Sequence, residues 1–326
     1  MKRISVALAT GALALGLGAC GSDDEPADSG GGGQAAQESS KIGMANFTLG
    51  APYFIGISKT VERAAEQAGN VDVSVTDAKG DAAALTTNIE DLLTKDLDGI
   101  IISGGPLENA PAALNAIKAA GIPVVLVDRK FGAGEYTSWV GPDNEAIGKQ
   151  DGEFIAEELG GEGKVGIIRG GPADNSIGRA RTDGVTSVLE PAGIELAVAP
   201  EFGEWSSDGG LKVAENLLNK HPDLDAIFCE NDSMCLGAQK AIDDAGKTGD
   251  IFLAGVDGQK EALAAIKEGG NYRVTGLNDA VEMGNAAFER LTEILGGTEP
   301  EKDTVVPSPQ ITAENVEEHY DPNSEF

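Results

Sequence analysis

The chain has 326 residues, 41% of them hydrophobic, and carries 24 Lys plus Arg against 54 Asp plus Glu, for a net charge of −30. A surface this acidic repels nucleic acid and anionic headgroups, which excludes both as partners held by charge; the charge itself is read as a solubility device. The length supports two hydrophobic cores rather than one.

The first residues read as a targeting segment. Lys2 and Arg3 precede an uncharged run from Ile4 to Ala19, and Leu17-Gly18-Ala19-Cys20 reads like a bacterial lipobox. The run is too short and too rich in Gly and Ala for a spanning helix. Residues 1–19 are therefore expected to be a lipoprotein signal peptide and Cys20 the lipidated residue. The alternative is a plain secretory signal cut elsewhere, with Cys20 incidental. Residues 21 to 40 contain no aromatic residue and no Val, Leu, Ile or Met. They cannot bury enough apolar surface to offset the entropy of ordering, so residues 20–40 read as a lipidated Cys and flexible linker. The globular part that follows is expected outside the cytoplasm, in the periplasm or at the cell surface, touching the membrane through the lipid alone.

From Lys41 onward short apolar runs alternate with longer stretches of helical periodicity. Strands are expected at 42–47, 71–75, 99–103, 123–127, 138–140, 164–169, 195–199, 226–230, 251–256 and 272–277. Stretches such as YFIGISKTVERAAEQAG and GGLKVAENLLNKH between them place apolar residues three and four apart, as a helix with one buried face requires. The alternation predicts an α/β fold of parallel sheet with helices on both faces, and ten strands predict two doubly wound lobes.

Ligands of open α/β sheets bind beyond the carboxyl ends of the strands. The residues just past four apolar strands are Asp128-Arg129, Asn231-Asp232, Asp257-Gly258 and Asn278-Asp279. Each alone is equally a helix cap or loop residue. Together, with Arg129 and Arg179 to balance the acids, they describe a polar cleft. Carboxylates accept from neighbouring hydroxyls, guanidinium donates a planar fork and amides do both, which suits a small polyhydroxylated molecule. Tyr53, Phe54 and Trp205 would cover its apolar C–H faces.

Other chemistries find little purchase. No G-x-G-x-x-G follows the first strand, and the nearest approach to a phosphate loop has Glu158 where the first glycine is required and Val165 where Ser or Thr is required. There is no G-x-S-x-G elbow and no H-E-x-x-H pair. His221 and His319 are far apart in sequence, so neither a metal nor a cofactor is expected, and the chain is not read as an enzyme. Cys229 and Cys235 are either a disulfide or two buried thiols.

The stretches FTLGAPYF, VVLVDRKFGAGE, NSIGRARTDG, KVAENLLNKHPDLDAIFCENDSMCLGAQKAI, AGVDGQKEALAAIKEGG and VTGLNDAVEMG resemble, in order and spacing, the type I periplasmic sugar-binding proteins, most closely the ribose-binding protein group, from Lys41 to about Gln310. The resemblance implies two lobes joined by a three-strand hinge, an N-terminal lobe of 41–141 plus 279–305 and a C-terminal lobe of 142–278 plus 306–326. It implies ligand contacts from Tyr53, Phe54, Asp128, Arg129, Arg179, Trp205, Asn231, Asp257 and Asn278. Ala51 stands where the ribose binders carry an amide and Asn278 where they carry Gln, which leaves other pentoses, hexoses, polyols and cyclitols open. The implied task is delivery of a sugar or polyol to the permease of an ABC importer. A receptor for a small signal molecule or nucleoside, handing it to a chemoreceptor or sensor, is the alternative on the same fold. A transcription regulator is disfavoured, because a signal and linker occupy the place of a DNA-binding headpiece.

Overall fold

A computed structural model describes residues 39–105, 111–130, 136–171 and 176–326. The expected signal peptide, Cys20 and nearly all of the linker lie outside the described residues. No helix among the described residues is long and apolar enough to cross a membrane.

Strand and helix alternate from the start: β1 (Ser40–Asn46), α1 (Pro52–Ala68), β2 (Val71–Asp77), α2 (Ala82–Leu93), β3 (Gly99–Ser103), α3 (Pro111–Ala120), β4 (Val124–Val127) and β5 (Ser138–Gly141). A second series repeats the pattern: α4 (Asn144–Leu159), β6 (Lys164–Arg169), α5 (Ile177–Ala192), β7 (Glu195–Phe202), α6 (Ser207–Lys220), β8 (Ala226–Cys229), α7 (Asp232–Asp244), β9 (Phe252–Asp257), α8 (Lys260–Glu268) and β10 (Tyr272–Leu277). The chain ends with α9 (Ala280–Leu295), β11 (Asp303–Val305), β12 (Gln310–Thr312) and α10 (Val316–His319).

The strands form two six-stranded sheets, ordered β11-β5-β4-β3-β1-β2 and β12-β10-β9-β8-β6-β7. All pairings are parallel except that of β12 with β10. Both sheets therefore share one doubly wound order, with the direction of winding reversing at β1/β3 and at β6/β8. Each sheet is buried on both faces, and the pleat alternates its side chains between them. In β3, Ile100 and Ile102 face a core with Leu85 and Ile89 of α2 and Ile117 of α3, while Ile101 faces a core with Ile57 of α1 and Met283 of α9. The second sheet is covered in the same way by α4 and α5 on one face and α6, α7 and α8 on the other.

Two differences from the sequence reading have physical causes. Strands β11 and β12 have only three residues each and no apolar run; they exist through pairing to the edge strands β5 and β10. Of the two states the sequence leaves open for Cys229 and Cys235, the bridged one is present, their Cα atoms 5.4 Å apart. The residues beyond 306 do not all stay with the second sheet. Phe326 returns to the first, where it shares a core with Tyr53, Ile57 and Ala280.

Helices α4 and α5 approach until their backbones touch. A Cβ on Gly148 would collide with the carbonyl oxygen of Arg181 and one on Gly184 with the carbonyl oxygen of Glu145. A side chain at 148 must push α5 away, because the obstacle is backbone rather than a mobile side chain. Gly148→Val should lower the unfolding free energy by about 3 kcal/mol. Urea unfolding that gave the variant wild-type stability would show that this contact is looser than described.

Candidate functional site

The carboxyl ends of the two sheets face a shared cavity of about 620 Å³. Of the nine ligand contacts implied by the resemblance, all but Arg179 line it.

Four of the six non-glycine residues with positive φ among those described are in the cavity wall: Asp128 (68°), Glu204 (52°), Trp205 (56°) and Asp257 (125°). An L-residue is held there only when its surroundings over-determine it, and such strain gathers at sites where a side chain must be aimed. Asp128 follows β4 directly and Asp257 closes β9, so each carboxylate sits at a strand end turned out of the regular pleat.

The polar groups form a chain across the cavity floor. Arg181 Nη1 lies 3.0 Å from Asp257 Oδ1, with both side chains buried. Asn278 Nδ2 donates to the same Asp257 oxygen at 3.2 Å. The Tyr53 hydroxyl lies 3.0 Å from Asn278 Oδ1 and 3.2 Å from Asp128 Oδ1, sharing its one proton between two acceptors. Arg181 is fixed from behind as well, donating from Nε to Asn144 Oδ1 at 2.8 Å and from Nη1 to the Glu230 carbonyl at 2.6 Å. Arg129 reaches from the first sheet to Ser176 Oγ at 2.8 Å, on the second-sheet side of the cavity.

Burial sets the electrostatics of this chain. It pushes the Asp257 carboxyl up to about 7, while the Arg181 guanidinium pulls the other way. Burial also raises the Tyr53 phenol well above its ordinary value, reinforced by Asp128 and Asp257, so the hydroxyl keeps its proton and can donate. For Arg181 burial opposes the charge, but Asp257 and Asp128 outweigh it and raise its pKa.

Aromatic groups supply the apolar walls. Phe54 stands beside Tyr53 in an edge contact, ring centroids 5.5 Å apart. Trp205 enters from the turn after β7, its ring occupying space that a Cβ on Gly170 would need. Asn231 has a double role: it lines the cavity and its Oδ1 caps α7 by accepting from Met234 N at 3.0 Å. Its neighbour Asp232 turns inward. There it accepts from Gly258 N, Gln259 N, the Tyr272 hydroxyl and Thr275 Oγ1 at 2.6–2.8 Å, tying the loop after β9 and strand β10 to α7. Burial raises the Asp232 carboxyl to about 6 against these donors.

Arg179 lies outside the cavity wall. Its side chain is 69% exposed and pairs with Asp183 one turn along α5, whereas that of Arg181 is 2% exposed and lies in the cavity wall. The signal is in the helical register. The buried face of α5 carries Ile177, Arg181, Gly184, Val185 and Leu189, spaced by three and four, and Arg179 lies off that stripe. Phe47, Gln259 and Phe326 also line the cavity. Phe47 directly follows β1 and Gln259 lies two residues past β9, so the strand-end rule reaches both; no pattern in the sequence points to Phe326. Among the described residues no three His, Cys, Asp or Glu side chains are grouped as a metal ion would require.

Comparison with known proteins agrees with this architecture. The ribose import binding protein of Bacillus subtilis is 33% identical over 266 residues, covering 82% of this chain and 85% of that protein. A xylitol-binding protein of Mycolicibacterium smegmatis is 27% identical over 97% of this chain and 87% of its own. The crystal structure of an ABC transporter solute-binding protein from Mycobacterium smegmatis, with bound glycerol, superposes with a TM-score of 0.82 at 28% identity, covering 88% of this chain and 98% of that one. The model of the periplasmic binding protein domain matches residues 42–299, from β1 through α9. With strands β1 to β10 spanned by that match and the cavity formed between the carboxyl ends of the two sheets, the chain belongs to the periplasmic binding protein family.

Proposed function

We propose that this protein is the solute-binding component of an ABC importer, which captures a sugar or polyol between its two lobes and presents it to a membrane permease. The observation that carries the proposal is the row Asp128, Tyr53, Asn278, Asp257 and Arg181 at the base of a cavity walled by Phe54 and Trp205. Alternating acceptors and donors match vicinal hydroxyls, each of which both donates and accepts, and the aromatic faces match the C–H surfaces between them. The relatives carry names of ribose and xylitol binders, and a structural neighbour holds glycerol, all polyhydroxylated molecules. The ligand would leave unchanged.

Contacts from both lobes would stabilise a closed form over an open one, so that ligand shifts the population between them. Hinge closure around a ligand is the motion established for periplasmic binding proteins as a class. The chain passes between the sheets at 142–143, 278–279 and 306–309, and these are the segments that would flex. The Lys2–Cys20 pattern supports attachment through a lipid on Cys20, outside the cytoplasm.

A thermal-shift panel of D-ribose, D-allose, xylitol, glycerol and myo-inositol tests the ligand class. A ligand at a hundred times its dissociation constant should add about 2.7 kcal/mol of stability. No rise with any of them would count against sugar or polyol capture. For whichever compound binds, Arg181→Lys keeps the charge but loses the planar fork, and should weaken affinity on the order of tenfold or more. Arg179→Ala should leave affinity within about twofold, as expected of an exposed ion pair. Equal losses in the two variants, measured by calorimetric titration, would refute the choice between these arginines. Cys20→Ala should move the protein from the membrane to the soluble fraction of the producing cells; retention on membranes would rule out the lipid anchor.

A further inference from the structure

The segment from Val316 to Phe326 is fastened to both halves of the molecule. On the second-sheet side α10 packs near α8, where Lys267 pairs with Glu317 at 2.8 Å and lies 4.8 Å from the Tyr320 ring centroid. Lys260, also on α8, donates to the Ser324 carbonyl at 2.6 Å. On the first-sheet side Arg63 of α1 pairs with Glu325 at 3.2 Å. Phe326 then inserts beside α1, where it is 5% exposed, and its ring meets Tyr53 edge-on with centroids 5.5 Å apart.

The seat for this ring is made by a missing side chain. A Cβ on Gly56 would lie 2.9 Å from Ala280 Cβ, closer than real Cβ atoms come, and 3.0 Å from Phe326 Cβ, tighter than most such contacts. Tyr53 is consequently held between two edge contacts, Phe54 and Phe326, both at 5.5 Å and 75°. Its hydroxyl can meet Asp128 and Asn278 together only while the ring keeps this position, since the two acceptors come from different strands.

We infer that Phe326 is a positioning residue of the ligand site, which holds the Tyr53 ring so that its hydroxyl joins Asp128 to Asn278 and which closes one wall of the cavity. Its consequence for affinity rests on the ligand-binding reading above, but the contact with Tyr53 does not. Because the segment is tied to α8 and α1 at once, it also links the position of this tyrosine to the second sheet.

Two readouts test the inference. In ligand-free protein, Phe326→Ala should shift the aromatic NMR signals of Tyr53 and speed its ring flips, while Phe326→Leu, which refills most of the volume, should largely restore them. Unchanged Tyr53 signals in Phe326→Ala would overturn the inference even if no sugar binds. For the polyol or sugar that binds wild type best, Phe326→Ala should weaken affinity about tenfold, the size of one lost hydrogen bond to a charged group. In a Tyr53→Phe background the same change should cost less than about twofold, because residues that act through one another are not additive. A full tenfold loss in both backgrounds would mean that Phe326 supports the fold and does not position Tyr53.

Discussion

The site is organised around one costly interaction, the buried pair of Arg181 and Asp257. Taking both charges out of water costs several kcal/mol per ion, and their attraction recovers this only with near-ideal geometry and further hydrogen bonds. A pair of apolar side chains would serve stability as well or better. The pair therefore makes sense as a device that aims groups, and its neighbours are arranged accordingly. Asn144 and the Glu230 carbonyl hold the guanidinium from behind, while Asn278 relays the carboxylate to Tyr53 and Asp128. Removing either member leaves the other buried and unpaired, so the arrangement persists only as a whole.

The fold delivers these groups by repetition. Two sheets of identical winding present their carboxyl ends to one cavity, and the loops there are the segments least constrained by packing. Rigidity comes from beneath. Asp232 ties α7 to the loop after β9 and to β10, and the glycine faces of α4 and α5 press the helix carrying Arg181 against its neighbour. The positive φ angles of Asp128, Glu204, Trp205 and Asp257 are tolerated on this support.

Much of this is legible in the sequence, and for identifiable reasons. The central strands β3, β4, β8 and β9 stand out because parallel strands buried on both faces read as continuous runs, while the edge strand β2 alternates apolar and polar residues. Asp128, Asp257 and Asn278 follow from their places at strand ends. Asn231 shows the limit of that rule, since a capping residue and a cavity residue look alike in sequence, and here it is both. The motif points to Arg179, where the register of α5 favours Arg181. Strands β11 and β12 carry no signal of their own because each has only three residues and no apolar run. Phe326 is illegible for another reason: its meaning lies in Gly56 and Tyr53, some 270 residues earlier.

On the proposed function, this one row of side chains is what a polyhydroxylated ligand meets. A crystal structure grown with the polyol or sugar that most stabilises the protein tests it directly. Ligand hydroxyls are expected within about 3.2 Å of Asp128, Asp257 and Arg181, with Phe54 and Trp205 against the carbon skeleton. A ligand bound outside the cavity, or inside it without contact to Arg181 and Asp257, would show that this row does not hold the ligand.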